Sequence, residues 1–138
     1  MTNTCSVAII SLDFTEEITK INNFSFHKIG SIKTLVIRDN VTEIGERAFT
    51  GCEKLESVDI PDSVKVINDN AFYLCSGIVN LVIGCGVEEI GEGAFNNTYL
   101  LTDIWYSGSA EEWAAITIGN DLGYIRNREI HFDHVKEN

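Results

Sequence analysis

Four cysteines and three histidines are the side chains of this sequence best suited to chemistry. No two cysteines form a C-x-x-C pair, the spacing that lets two thiolates grip one zinc ion. Cys52 and Cys75 stand 23 residues apart, whereas Cys5 and Cys85 have no partner at a matching interval. Were 23 residues a structural repeat, Cys52 and Cys75 would sit on adjacent coils about 5 Å apart. That separation permits a disulfide if the Cβ atoms converge; the preferred alternative is a buried thiol ladder that packs as small apolar groups. His131 and His134 flank Asp133, and on a strand that spacing sends the two rings to opposite faces, wrong for a shared metal. With His27 alone at a repeat corner, all three histidines read as surface residues.

Other catalytic constellations are missing from the pattern. No Ser-His-Asp or Cys-His set carries a local signature, and no glycine-rich phosphate loop follows a strand; Gly84-Cys85-Gly86 is a turn. The acidic pairs Glu16-Glu17 and Glu88-Glu89 lack the carbonyl cage that calcium needs and read as solvated surface. The sequons at Asn23, Asn40 and Asn96 border or occupy turns, where asparagine serves the backbone. The expectation is a non-enzymatic chain with no cofactor and no metal.

What positions these residues is a repeat. Leu35, Val58, Leu81 and Ile104 are spaced by 23, as are Ile37, Ile60, Ile83 and Tyr106. Val41, Val64 and Val87 keep the step, and so do Ile44, Ile67 and Ile90 and the pairs Ala48-Phe49, Ala71-Phe72 and Ala94-Phe95. One step earlier the same phase reaches Leu12, Phe14, Ile18, Ile21, Ser25-Phe26 and Ile29, a worn first copy. The L-x-I element has the period of a strand with two inward side chains. Turn residues follow it: Asp39-Asn40, Pro61-Asp62-Ser63 and Gly84-Cys85-Gly86. V-x-x-I then returns the chain, and A-F puts one ring per coil in the core. Positions 22, 45, 68 and 91 alternate Asn and Gly, which predicts a left-handed corner in each coil.

One such coil cannot enclose its own apolar side, so copies must stack. Adjacent strands then pair in parallel at about 4.8 Å. Each coil would bury six or seven apolar side chains, each worth roughly 1.5–3 kcal/mol before chain entropy is subtracted. The last unit changes character. Ser109 and Glu112 have capping-box spacing, which predicts a short helix in place of V-x-x-I, with Trp113 and Ile116 on its covering face. Ile130 and Phe132 follow Ile104 and Tyr106 by 26 residues, one repeat plus three, and 107–138 reads as a cap over the final sheet edge.

Composition narrows the class further. A chain of 138 residues is one domain, and 44% apolar with 22% charged residues is ordinary for a globular fold. No apolar run approaches the ~20 residues of a membrane span. The start, MTNTCSVAIISLDF, has neither the basic n-region nor the cleavage site of a signal peptide. With a formal charge of −11 and no basic cluster, the surface repels phosphate backbones, and nucleic acid is not expected as a partner.

The units Ile32–Cys52, Leu55–Cys75 and Ile78–Thr98 resemble BspA-like leucine-rich repeats, the Treponema-type class. The hallmark I-G-x-x-A-F-x-x-C is matched by IGERAFTGC, INDNAFYLC and IGEGAFNNT, and WYSGSAEEWAAITIG resembles the cap that closes such arrays. The resemblance covers 9–133; only one unit carries the proline usual after the strand. It implies a mostly β member of the α/β class, a right-handed superhelix of about five coils with a parallel sheet and a C-terminal cap containing a short helix. The division would be a single domain 1–138, with a degenerate repeat at 9–31, regular repeats at 32–100, and the last repeat plus cap at 101–138. It also implies protein binding or adhesion at a cell surface or after secretion.

Solenoids bind through the outward residues of their strand face. Here those are Asp13, Val36, Asp59, Val82 and Trp105, flanked by Arg38 and Asp103. Trp105 is the expected anchor, tryptophan being enriched at energetic centres of interfaces; packing beneath the cap is its alternative fate. The leading expectation is a module that contacts a protein of unknown identity. A spacer within a longer array is the rival, and self-association through an uncapped N-terminal edge is a third possibility.

Overall fold

Alternation of buried and outward side chains makes a strand of every L-x-I segment. In the computed structural model, which describes residues 11–12, 17–120, 125 and 127–135, the described elements begin with β1 (Ser11–Leu12), β2 (Lys20–Ile21), β3 (Thr34–Val36) and β4 (Glu43–Ile44). Then come β5 (Ser57–Ile60), β6 (Val66–Ile67), β7 (Asn80–Ile83), β8 (Glu89–Ile90) and β9 (Asp103–Tyr106). Helix α1 (Ala110–Ala114), β10 (Thr117–Ile118) and β11 (Glu129–His131) follow.

The odd strands form one parallel sheet in the order β1-β3-β5-β7-β9-β11, and the register places each residue beside its copy one repeat away. Leu35 pairs Val58, Val58 pairs Leu81 and Leu81 pairs Ile104. Their side chains are buried, as are Ile37, Ile60, Ile83 and Tyr106. The result is a mostly β parallel solenoid of about five turns.

The aromatic column becomes a stack. Phe26, Phe49, Phe72 and Phe95 lie with successive ring centroids 5.2, 5.2 and 5.1 Å apart and planes within 8° of parallel. Phe49, Phe72 and Phe95 are fully enclosed, and each contributes roughly 1.5–3 kcal/mol of burial.

The V-x-x-I segments do more than return the chain. Their ends pair as a second parallel sheet, β2-β4-β6-β8-β10, which the sequence reading did not anticipate. Strands of two residues are too short to show a period, so nothing in the sequence distinguishes them from turn. On this side the N–H groups of Gly45, Asn68 and Gly91 donate to Ile21, Ile44 and Ile67 of the preceding coil at 2.7–3.0 Å.

The predicted left-handed corner lies elsewhere. The column at 22, 45, 68 and 91 has no positive φ; positive values fall at Phe24, Arg47, Asn70 and Gly93, and again at Lys28, Gly51, Leu74 and Asn97. The reason is a third backbone ladder. Phe24, Lys28, Arg47, Gly51, Asn70 and Leu74 each donate their N–H to a carbonyl of the next coil at 2.7–3.0 Å, which offsets the strain of φ > 0. Glycine at 45 and 91 answers to space instead. A Cβ on Gly45 would stand 2.6 Å from Ile21 O and Asn23 N, and one on Gly91 would stand 2.5 Å from Asp69 N. Asn68 fills the alternate position by donating its side-chain amide to Ile44 O and Glu43 Oε1, each at 2.9 Å.

The end of the stack follows its expectations except in one respect. Ser109 caps α1 as predicted: Glu112 N donates to Ser109 Oγ at 3.2 Å, and Ser109 N to Glu112 Oε2 at 2.7 Å. Trp113 packs on the core, its ring edge-on to Tyr106 at 5.1 Å, and Ile116 is buried. However, α1 does not replace the return strand. It is inserted before it, and Ile118 resumes the second sheet beside Ile90. Strand β11 pairs along β9 and so covers the edge of the fifth unit's strand, as expected of the cap, and is itself the outermost strand among the described residues.

Candidate functional site

Because alternate residues of a strand face outward, Val36, Asp59, Val82 and Trp105 form one row, each the register partner of the next. Val36 is exposed and the other three are half-buried. Together with Thr34, Ser57, Asn80 and His134 they line a groove of about 470 Å³ across the strand face. Its floor is the valines, one end is the indole of Trp105, and Asp59 supplies a carboxylate midway.

The expected flanking residues stand beside this row. Arg38 lies past the end of β3, on a separate hollow of about 670 Å³ lined by Val36, Ile37, Arg38, Asp39 and Asn40. Asp103 flanks the groove rather than lining it, and Asp13 lies outside the described residues.

Trp105 packs against the C-terminal segment, the alternative set beside its role as an anchor, and stays half-buried. His131 stacks on it with centroids 3.9 Å apart and planes 14° from parallel, and His134 leans on it at 5.4 Å. This overturns the expectation that the two histidines face opposite ways. Strand β11 ends at His131, and Asp133 adopts φ 55° and turns the chain, so that His134 N donates to Tyr106 O at 2.9 Å. The signal for His131 was already in the spacing, since Ile130 opposite Ile104 obliges His131 to stand opposite Trp105. The turn that returns His134 is not repeated among the described residues and left no such signal.

His131 Nε2 also lies 2.7 Å from Asp103 Oδ1, and Thr102 Oγ1 donates to Asp103 Oδ2 at 2.6 Å. These hydrogen bonds, that of His131 foremost, hold the Asp103 carboxyl below the usual aspartate range. Glu129 Oε1 stands 4.0 Å from the same imidazole nitrogen. Among the described residues, Asp103, Glu129 and His131 are the group whose ligand atoms converge closely enough for a cation.

The cysteine column is a thiol ladder. Cys52 and Cys75 are buried free thiols whose Sγ atoms donate to Phe26 O and Phe49 O, at 3.2 and 3.0 Å. Burial pushes the Cys75 thiol well above its ordinary range, which makes it inert packing rather than a nucleophile. Cys85 is exposed in its turn.

Stacked 23-residue coils with an L-x-I strand and an A-F core element define a leucine-rich-repeat solenoid. This chain belongs to the BspA type leucine rich repeat family, whose profile matches six copies across residues 3–126. Solved structures agree. A leucine rich cell surface protein of Faecalibacterium prausnitzii A2-165 is 28% identical over 78% of this chain, with a TM-score of 0.60. A leucine-rich repeat protein of Bacteroides ovatus ATCC 8483 is 22% identical over 86% of the chain (TM-score 0.67). The pneumococcal vaccine antigen PcpA is 18% identical over 91% (TM-score 0.56). The last two share the fold. This chain spans 34%, 28% and 42% of those three proteins. No curated protein matches it at the sequence level. No helix among the described residues is long and apolar enough to cross a membrane.

Proposed function

We propose that this chain is a non-catalytic protein-binding module that takes an extended segment of its partner along the strand face. The observation that carries this reading is the groove of about 470 Å³, open along its length, with an apolar floor and Trp105 at one end. Apolar floor and aromatic wall are what an interface needs at its centre. Asp59, with an overall charge of −11, favours a partner segment carrying both an apolar and a basic side chain. The similarity to a cell surface protein of F. prausnitzii supports display at a cell surface, where a binding module of this kind would serve adhesion or recognition.

Panning a displayed peptide library against the native chain tests it. Enriched peptides should contain a basic residue near an apolar one and lose binding to Trp105→Ala and Asp59→Asn. Peptides that bind all three proteins equally overturn the strand face as the site. A second reading, a spacer in a longer array, is favoured by the span of 28% to 42% of the solved relatives; a library that yields no enriched peptide at all supports it. Self-association would use β1, the other outermost strand of the face sheet among the described residues. Light scattering across a concentration series would reveal it, and a constant monomer mass would remove it.

A further inference from the structure

The C-terminal end of the strand face carries a second arrangement that the groove does not use. Asp103 on β9 and Glu129 on β11 are register partners, and His131 is two residues further along β11. A two-residue step returns a side chain to the same face, so one imidazole and two carboxylates meet there. We propose that Asp103, Glu129 and His131 bind one divalent ion of the zinc class, through one imidazole nitrogen and two carboxylate oxygens, with the remaining position open to solvent or to a further ligand.

The distances fit small rearrangements. Tetrahedral zinc with ligands at about 2.0–2.2 Å sets its ligand atoms roughly 3.4 Å apart. The His131 nitrogen now lies 2.7 Å from Asp103 Oδ1 and 4.0 Å from Glu129 Oε1, which brackets that value. All three ligand atoms lie within 4.8 Å of one another. On binding, the ion takes the place of any proton on His131 Nε2: an imidazolium releases that proton to solvent, and a neutral ring carries its proton on Nδ1 instead, so that the ligand is the neutral imidazole. Two supports outside the ligand set hold it in shape. Trp105 fixes the plane of the imidazole by stacking at 3.9 Å, and Thr102 Oγ1 ties down the other oxygen of Asp103. Glu129 is 74% exposed and free to swing inward. An imidazole with only three protein ligands suits zinc and its neighbours and disfavours calcium, which takes six to eight oxygens. The site does not rest on the partner-binding reading.

The test is isothermal titration of the full chain with zinc chloride alone, in a Cys5→Ser, Cys85→Ser background that removes competing thiols, with tryptophan emission followed in parallel. One ion per chain should bind, and emission should change because Trp105 touches a ligand. Glu129→Gln, at an exposed position that leaves the fold intact by circular dichroism, should weaken binding at least about tenfold, the loss that even outer partners of metal sites produce. His131→Ala should abolish both signals, whereas His27→Ala should change neither. Absence of saturable zinc binding overturns the proposal. So does zinc binding that survives Glu129→Gln and His131→Ala, or calcium chloride binding as tightly as zinc.

Discussion

The imidazole of His131 lies flat on the indole of Trp105, centroids 3.9 Å apart, across the last strand pair of the face. An aromatic pair of this kind is worth about 0.5–1.5 kcal/mol beyond its area. His131→Ala should therefore lower the melting temperature by a few degrees and weaken the near-ultraviolet dichroism of Trp105. His131→Phe should restore both, because it keeps the stack while removing the nitrogen. If the two variants melt alike, the stack contributes nothing.

Phe72 has a parallel ring on each side, Phe49 at 5.2 Å and Phe95 at 5.1 Å. Phe72→Ala opens a cavity between two coils and should cost about 3–5 kcal/mol. Phe26, half-buried at the head of the stack, should cost less when cut to Ala. Urea midpoints with unchanged slopes measure both losses, and equal midpoints would show that the stack is not a shared core.

Two glycines should respond in opposite ways. A Cβ on Gly45 meets backbone at 2.6 Å, so Gly45→Ala must push two coils apart, an overpacking cost of about 1–3 kcal/mol. Nothing lies within 4 Å of a Cβ on Gly30, and Gly30→Ala should stay within about 0.5 kcal/mol of the parent. Thermal melts of the pair decide it; a silent Gly45→Ala would deny the close approach.

Burial, with Glu112 close by, pushes the Tyr106 phenol from its ordinary 10 up to about 12. Between those values the folded chain keeps a proton that the unfolded chain releases, so stability falls as pH rises through that interval. Tyr106→Phe should remove that part of the alkaline loss, together with a tyrosinate absorbance step near pH 12. Identical alkaline melting curves for the two proteins would contradict it.

Much of the fold could be read from spacing because burial recurs. Leu35, Val58, Leu81 and Ile104 satisfy the same need in every coil, and so do the phenylalanines. The left-handed corners could not be read this way. Their columns mix Gly51, Asn70, Gly93 and Asn97 with Phe24, Lys28, Arg47 and Leu74, side chains with no preference for positive φ that are held by ladder bonds to the next coil, so no residue type marks the corner in every copy. Of the candidate site, the row Val36, Asp59, Val82 and Trp105 followed from alternation, while the sharing of Val36 between the groove and the hollow that holds Arg38 did not.

The amino-acid order alone determined the 23-residue coil, its parallel stacking, the aromatic core and the cap of α1, since each is a local pattern repeated or a motif complete within four residues. The 26-residue offset set His131 opposite Trp105, but only the tertiary structure decided that the ligand atoms of Asp103, Glu129 and His131 converge and that His134 returns to the same ring. That convergence happens once, at a strand pair 26 residues apart and a turn at Asp133, and a feature without a second copy leaves no period to read.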